Sequence, residues 1–492
     1  MTPTPLPPIA WNPVPACENR PQSLAAWRQY VASRNSDPLA GRQLATYLRQ
    51  VRPMSAALRD VGLEVLPSLL DAADTAPQTE VIRRELTVLW LNVMSGRLNQ
   101  ATEMSFPALP GVRTVGDLIA ELEKALVEGR SPGTLMSTSK QLVAGQGVSR
   151  SVCARFVFQV GTTLRESTWT SSGMAERSIS NSKVPSWVSS VSPNHSKIAI
   201  ITSVYGDSGG GPVLIYDLQT EKLTNINENL GIPFYEPVGM SVAGWHPDNQ
   251  HLLLFDGDNY NIYWVDLGKN TYQRIGLLQG GDSTISDVNL SPDGRKFVYI
   301  GNNFTDDVQQ FNLYDLRSGQ ITTLFTLPFN QGGLYSLRFS PTGDMIAYVV
   351  QKSHPLASVT YAIQLFDLRA RTNTTLVGDN LGWTMPVWSP NGQMIAFTKK
   401  EPGEPNLVVP GVVSQPEPGN IWVVSVPSGK LQQVTFIQGA ARVPSWSADG
   451  RFIAFVTHDN QLGLTSPDQP GVIWRMGVAP EWPEFPSIFF MP

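Results

Sequence analysis

One short phrase recurs six times in the last two thirds of the chain, and it limits the possible folds more than any other feature. In each copy an aromatic or aliphatic residue precedes Ser-Pro-x-Gly or a close variant, and an apolar run such as Ile-Ala-Phe follows. Successive copies lie 45 to 58 residues apart, a period that indicates a repeat architecture. The copies begin at Val191, Trp245, Leu290, Phe339, Trp388 and Trp446.

The chemistry of the phrase fits a tight turn between two strands. Proline presets φ for the turn, and glycine, or asparagine in its place, tolerates the positive φ that the turn requires. The apolar run after the turn has the composition of a short, largely buried strand. A second phrase, Tyr-Asp-Leu or similar, follows in most copies and indicates the partner strand. Each unit is therefore interpreted as a four-stranded antiparallel sheet, and six such sheets predict a six-bladed β-propeller.

The two phrases together resemble the PD40 (WD40-like) repeat of TolB-like propellers, over about residues 154–480. The resemblance implies a six-bladed propeller that serves as a scaffold or binding module, often outside the cytoplasm. Three copies depart from the pattern: the first lacks the turn glycine, the second has His246 for serine, and the sixth has Ala448 for proline. We expect the strand Ala154–Val160 to complete a blade contributed by the C-terminal end of the chain.

The first third of the chain has helical patterns and no strand pattern. Ser23 is placed as an N-cap, Thr114 with Asp117 is similar to a capping box, and Gly129 offers a stop. A TolB protein carries an α/β domain at this end, so the resemblance does not extend to the partner of TolB. The predicted fold class is mainly β, a six-bladed β-propeller preceded by a small all-α domain. The predicted domains are a Pro-rich extension (1–19), an α-helical domain (20–130), a linker (131–150) and the propeller with an aromatic tail (151–492).

Charge and cysteine content narrow the function classes. The 36 Lys and Arg residues against 41 Asp and Glu residues leave a net charge of −5, so no basic surface for nucleic acid is expected. No apolar run reaches the length of a membrane helix, and residues 1–19 lack the pattern of a signal peptide. Cys17 and Cys153 are too few for a zinc site; they form either one disulfide or two unrelated thiols. The resemblance leads us to expect an extracytoplasmic protein.

Two motifs resemble catalytic or metal sites, and each has a simpler explanation. Gly206–Pro212 is similar to the segment around the nucleophile of trypsin-like proteases, but none of the histidines lies in a segment that could supply the base. We interpret it as a hairpin loop. Asp256–Asn259 could bind calcium, yet the further acidic ligands of an EF-hand-like site are missing. A type I′ hairpin turn explains the same residues.

The remaining candidates are the histidines and the repeated aspartates. His354 and His458 follow the second strands of two units and could share one face of the ring, where some propeller enzymes hold a channel metal. His195 and His246 fall in the turn phrase, which favours structural roles. The aspartates recur once per unit, so we interpret them as caps of turns rather than catalytic residues. We therefore predict no catalytic residue, metal or cofactor. The repeated aspartates are Asp217, Asp266, Asp315 and Asp367.

These observations favour a non-catalytic scaffold that binds a protein, peptide or glycan, within an envelope or extracellular assembly. The alternative is a propeller enzyme, of lyase or lactonase type, with a metal in the central channel. Glu401–Gly419 and the aromatic tail (Trp482, Phe485, Phe489 and Phe490) are either interaction sites or packing against a neighbouring blade. The loops expected to contact a partner are Gly206–Gly211, Asp256–Tyr260, Asn302–Asp307, Lys352–Val359 and Glu401–Gly419.

Overall fold

A computed structural model of the 492-residue chain describes most of the sequence. The described residues are 9–12, 21–52, 54–95, 97–160, 163–181, 186–193, 196–203, 210–218, 220–232, 240–257, 260–276, 283–353, 359–381, 384–400, 419–426, 428–437, 440–447, 449–457, 461–478 and 489–491.

The N-terminal third forms a helical body around one apolar core. Its longest helix is central, and Leu86, Leu89 and Val93 on that helix are fully buried against the others. Among the described helices of the chain, none is both long and apolar enough to cross a membrane. The helices are α1 (Leu24–Ala32), α2 (Pro38–Val51), α3 (Leu66–Asp71), α4 (Gln78–Met94), α5 (Val115–Glu128) and α6 (Gly133–Val143), and the strands β1 (Glu103–Met104) and β2 (Val148–Arg150) pair beside them.

The predicted helix signals are present, and one further helix occupies the segment expected to be a linker. Ser23 accepts a hydrogen bond from the backbone N–H of Ala26 (3.2 Å). Thr114 and Asp117 form a reciprocal capping box, and Gly129 ends α5 with a φ of 65°. Residues 131–150 contain α6 and β2, because the buried residues at the end of α6 join the helical core. The polar Ser, Thr and Lys residues that precede them hide the helical period in the sequence.

The rest of the chain forms sheets of four antiparallel strands, joined by hairpins in chain order. The first sheet, blade 1, takes its three outer strands from residues just after β2. Blades 1 to 3 contain the strands β3 (Val152–Val160), β4 (Thr163–Thr170) and β5 (Gly173–Asn181) in blade 1, β6 (Ser186–Val191), β7 (Lys197–Ser203), β8 (Gly210–Asp217) and β9 (Lys222–Asn225) in blade 2, and β10 (Met240–Trp245), β11 (His251–Asp256), β12 (Asn261–Asp266) and β13 (Thr271–Ile275) in blade 3. Blades 4 and 5 contain β14 (Ser283–Leu290), β15 (Lys296–Asn303), β16 (Val308–Asp315) and β17 (Ile321–Pro328) in blade 4, and β18 (Gly333–Phe339), β19 (Met345–Ser353), β20 (Val359–Asp367) and β21 (Thr372–Leu381) in blade 5. Blades 6 and 7 contain β22 (Val387–Trp388), β23 (Met394–Lys400), β24 (Gly419–Ser425) and β25 (Leu431–Gln433) in blade 6, and β26 (Ala441–Trp446), β27 (Ile453–Thr457), β28 (Gln461–Ser466) and β29 (Gln469–Val478) in blade 7. A short helix, α7 (Ile226–Leu230), follows β9.

The propeller has seven blades, so the prediction of six is wrong. The first strand of blade 1 is β30 (Phe489–Met491), which comes from the C-terminal end and pairs with β3 at Arg155, Phe156 and Val157. The predicted pairing of the 154–160 strand with the C-terminal end is confirmed, but it makes an additional blade. Since the first and second strands of blade 1 are not joined by a hairpin, this blade has no copy of the turn phrase, and the count of phrases missed it.

The two faces of the ring differ in their connections. The first strands of neighbouring blades contact one another, which places them around the axis. The turns between first and second strands, and between third and fourth strands, lie on one face, which we name the turn face. The loops between second and third strands, and the connections between blades, lie on the opposite face, the loop face. Of the loops predicted to contact a partner, Asn302–Asp307 is described throughout, and it belongs to the loop face.

The helical body contacts the turn face. The guanidinium of Arg49, near the end of α2, donates a hydrogen bond to the carbonyl of Pro341 in the turn of blade 5. Burial lowers the pKa of Arg49, while Asp293 and Asp344 in the turns of blades 4 and 5 act in the opposite direction. Asp449, in the turn of blade 7, is close enough to contribute to the raised pKa of Tyr47 on the same helix. Helix α2 therefore lies over the turns of several blades.

Candidate functional site on the loop face

Blade 4 presents an ordered loop between β15 and β16. The Asn303 side chain accepts hydrogen bonds from the backbone N–H groups of Thr305 (3.1 Å) and Asp306 (3.0 Å), and it donates to the Asp306 carboxylate (2.8 Å). Asparagine side chains that bond to the backbone in this way are typical of tight turns. The residues of the loop thus hold its conformation themselves.

Two phenylalanines stack at the tip of this loop. Phe304 is 54% exposed, and its ring lies on that of Phe329, with 5.5 Å between the centroids and 14° between the planes. Phe329 follows β17 on the connection to blade 5, and its backbone N–H donates to the carbonyl of Asp307 (3.1 Å). Exposed apolar surface has an unfavourable free energy in water, and rigid aromatic side chains are enriched at the centres of protein interfaces. We name Phe304 and Phe329 the aromatic pair.

A polar network fixes the base of the loop to the strands around the axis. The Asn302 amide donates to Thr284 (3.0 Å) and Ser286 (3.3 Å) of β14. The Gln309 side chain donates to Oδ1 of the Asn302 side chain (2.8 Å) and accepts from the backbone N–H of Leu334 in β18 (2.7 Å). Satisfied networks of this kind restrict side chains to one arrangement. The aromatic pair is therefore presented by a rigid base shared between blades 4 and 5.

The surroundings of the aromatic pair are apolar and acidic. Asp306 and Asp307 are exposed beside Phe304. Two further apolar side chains are exposed near the starts of neighbouring blades on the same face: Tyr335 (43%) of blade 5 and Met385 (37%), just before blade 6. This part of the loop face therefore presents exposed apolar side chains and two exposed acidic ones.

The structure describes only part of the other predicted loops. Residues 206–209, 258–259, 354–358 and 401–418 lie outside the described residues, as do Trp482 and Phe485 of the tail. Asp256, for which calcium binding was considered and a hairpin turn preferred, is fully buried in β11 and pairs in register with Asn261 of β12. Phe489 and Phe490 belong to β30.

Some of the histidines also lie outside the described residues. His195, His354 and His458 lie outside the described residues, so the channel-metal hypothesis for His354 and His458 stays untested. His246 lies in the turn of blade 3, and its Nδ1 is 2.9 Å from Oδ2 of Asp248. Nδ1 of His251, at the start of β11, is 2.6 Å from the same oxygen. In the described part of the chain, these three residues are the one group of His, Cys, Asp and Glu side chains that could hold a metal ion.

Hydrogen bonds keep the Asp248 carboxyl ionised. Burial alone would raise the pKa of this carboxyl, but hydrogen bonds with His246, His251 and backbone amides hold the pKa well below its usual range. The turn phrase favoured a structural role for His246, and His251 and Asp248 were not recognised as possible metal ligands. Their signal was available, because His-x-Asp-x-x-His places three possible ligands within one turn.

The repeated aspartates cap the turns between third and fourth strands, as predicted. Asp217 accepts from the backbone N–H of Thr220 (2.9 Å), and Asp266 from that of Lys269 (2.9 Å). The same bonds recur in blades 4 and 5, where Asp315 accepts from Arg317 and Ser318, and Asp367 accepts from Arg369 and Ala370.

One ionisable pair lies between the first strands of blades 4 and 5. Asp287, at a bulge in β14, accepts from the backbone N–H of Leu337 (2.9 Å) and lies 3.7 Å from the Arg338 guanidinium. Burial raises the pKa of the Asp287 carboxyl, and the charge of Arg338 acts against that shift. The carboxylate thus links two neighbouring blades near the axis.

Comparison with known proteins identifies one family. The family model described as the TolB beta propeller domain, PD40, matches residues 164–415, about half of the chain. No curated protein matches the sequence.

Several solved structures are similar to this chain. TolB from Acinetobacter baumannii is 18% identical, with 73% of each chain covered and a TM-score of 0.39. An oligogalacturonate lyase in complex with manganese is 15% identical, covering 68% of this chain and 86% of its own, with a TM-score of 0.46. Hydrazine synthase of Kuenenia stuttgartiensis is 16% identical, covering 56% of this chain and 75% of its own, with a TM-score of 0.41. At these identities and TM-scores they carry no argument about function.

Proposed function

The chain belongs to the TolB β-propeller domain family, and from that premise we propose that it is a non-catalytic binding protein whose loop face engages a protein or peptide partner. The observation that carries the proposal is the aromatic pair, Phe304 stacked on Phe329 and exposed on an ordered loop. An ordered aromatic side chain loses little conformational entropy on binding, so its buried area contributes directly to affinity.

The aromatic pair favours a polypeptide over a glycan. Each ring covers one face of the other, which leaves less open ring face for a sugar than two separate rings would offer. The acidic side chains of Asp306 and Asp307 next to the pair favour a partner with a basic residue beside its apolar anchor.

We expect loss of the aromatic pair to abolish binding while leaving the fold intact. A photo-crosslinking amino acid at position 304, in the native source, would capture the partner at this surface. Binding of that purified partner is then measured for Phe304→Ala and for the double variant with Phe329→Ala. We expect at least about 30-fold weaker binding, the effect of removing a central aromatic anchor.

Phe436→Ala is the matched control. Phe436 is 61% exposed but follows the outermost strand of blade 6, beside Gly471 of blade 7, away from the aromatic pair. This variant should bind the partner as the unmodified protein does. Equal affinities for all variants, or a glycan captured at position 304 instead of a polypeptide, would contradict the proposal.

We also propose that the protein works in an oxidising compartment, outside the cytoplasm. Cys153 in β3 is disulfide-bonded, and the one other cysteine of the sequence, Cys17, lies outside the described residues. Disulfides persist in secreted and envelope proteins and are rare in reducing compartments. Family membership supports the same location.

Cys153→Ser should therefore lower the free energy of unfolding by about 2–4 kcal/mol, because the covalent bond restricts the unfolded chain. Denaturant unfolding of the protein purified from its native source tests this, with and without a reducing agent. Reduction should lower the unfolding midpoint of the unmodified protein and leave that of the variant unchanged. A free thiol at Cys153 in the native protein would count against both the bond and the compartment.

A further inference from the structure

The turn of blade 3 differs from the other copies of its phrase in both sequence and bonding. In the copies that carry serine, its hydroxyl oxygen accepts the backbone N–H five residues later, at 2.9 to 3.1 Å. Blade 3 has His246 in place of the serine and His251 five residues later. The backbone N–H of His251 bonds instead to Oδ1 of Asp248 (3.0 Å), which also accepts from Gln250 (2.8 Å).

This exchange leaves a carboxylate oxygen aimed at two imidazoles. With Oδ1 of Asp248 held by two backbone amides, Oδ2 faces Nδ1 of His246 and Nδ1 of His251. The lone pairs of three such atoms repel one another unless protons or a cation lie between them. Since Nδ1 of His246 accepts a hydrogen bond from the backbone N–H of Asp248 (3.2 Å), this nitrogen carries a lone pair rather than a proton.

Neighbouring side chains orient both rings. Nε2 of His251 lies 3.3 Å from the Asp266 carboxylate, which also accepts hydrogen bonds from the backbone N–H and the ammonium of Lys269 (both 2.9 Å). A carboxylate on the outer nitrogen places the proton there and leaves Nδ1 as a ligand, the usual arrangement around metal-binding histidines. His251 stacks on Trp264 (5.3 Å between centroids), and His246 meets the edge of the same ring (5.6 Å).

We propose that His246, Asp248 and His251 bind one divalent transition-metal ion, with Asp266 as the outer partner of His251. Two imidazole nitrogens and one carboxylate oxygen match zinc, which takes such ligands at about 2.0–2.2 Å and fills a further position with water. All three side chains are partly exposed, so the ion has a path from solvent. The site fastens the turn between β10 and β11.

The test is zinc binding to the full chain stripped of metal with a chelator. Isothermal titration with zinc chloride should show one site per chain that is lost in the double variant His246→Ser, His251→Lys. This variant recreates the turn of blade 4, where Ser291 and Lys296 occupy the same positions, so we expect it to fold. We expect its zinc affinity to be at least 100-fold weaker and its thermal unfolding to be unaffected by zinc.

Two single substitutions separate metal binding from turn stability. Asp266→Asn should weaken zinc binding about 10- to 100-fold, the effect of removing an outer-sphere carboxylate. Asp315→Asn removes the same turn cap in blade 4, which has no histidine, and should leave zinc affinity unchanged. The proposal would be overturned if the double variant bound zinc as tightly as the unmodified chain does. It would also be overturned if the unmodified chain bound no zinc when zinc is present at 100 times the protein concentration. Should the double variant fail to fold, the absorption spectrum of bound cobalt, compared between the unmodified chain and Asp266→Asn, decides the same question.

Discussion

Truncation after Ile488 is expected to open the propeller. The cut removes β30, which supplies the first strand of blade 1 and pairs with β3 at three residues. Each ladder hydrogen bond that is lost lowers the free energy of unfolding by about 1 kcal/mol. The buried side chains of Phe156 and Val157 also lose the strand beside them, and β3 becomes an unpaired edge that is prone to aggregate.

The measurement is denaturant unfolding together with light scattering. Removal of Pro492 alone, which leaves β30 complete, is the matched control and should unfold like the full chain. If the chain cut after Ile488 unfolds at the same midpoint and stays monomeric, β30 does not close the ring.

Arg84→Met is expected to destabilise the helical body by about 3–5 kcal/mol, the loss seen when one partner of a buried ion pair is removed. The Arg84 side chain is 2% exposed and donates to the Glu85 carboxylate (2.8 Å), to Asp74 (2.5 Å) and to the carbonyl of Ala72 (2.5 Å). Glu85 is buried as well, so the substitution leaves its carboxylate in the core without the opposite charge.

Two variants test that explanation with the same unfolding measurement. Adding Glu85→Gln to Arg84→Met removes the unpaired charge and should restore part of the lost stability. Lys140→Met removes an exposed partner of Asp74 (2.9 Å) and should cost at most about 1 kcal/mol, as surface ion pairs do. Similar losses for Arg84→Met and Lys140→Met would show that burial of the pair is unimportant.

The repeat made most of the propeller predictable from the sequence. Blades 4 to 6 each contain a hairpin turn whose proline and glycine record its backbone conformation, as in Gly294 with a φ of 69°, and blades 2, 3 and 7 keep variants of the same turn. Blade 1 joins strands from opposite ends of the propeller, and a pairing over such a distance leaves no turn to recognise. Helix α6 was missed for another reason: its helical pattern is short, and its burial depends on the helices around it.

The candidate sites were less visible, since both depend on contacts between segments. Phe304 and Phe329 are 25 residues apart, and their stacking follows from the closeness of a loop and a blade connection. The turn of blade 3 could have been noticed as the copy with two histidines in place of the usual residues. Its outer carboxylate, Asp266, is brought in by the register of β11 and β12, which the sequence does not state.

The contact of α2 with the turns around Arg49 has a consequence for how the molecule meets its surroundings. Because the helical body contacts the turn face, the loop face with the aromatic pair faces away from the helices. A molecule attached to the helices would therefore lie on the side of the turn face, and the loop face, which we propose to bind a partner, would remain accessible.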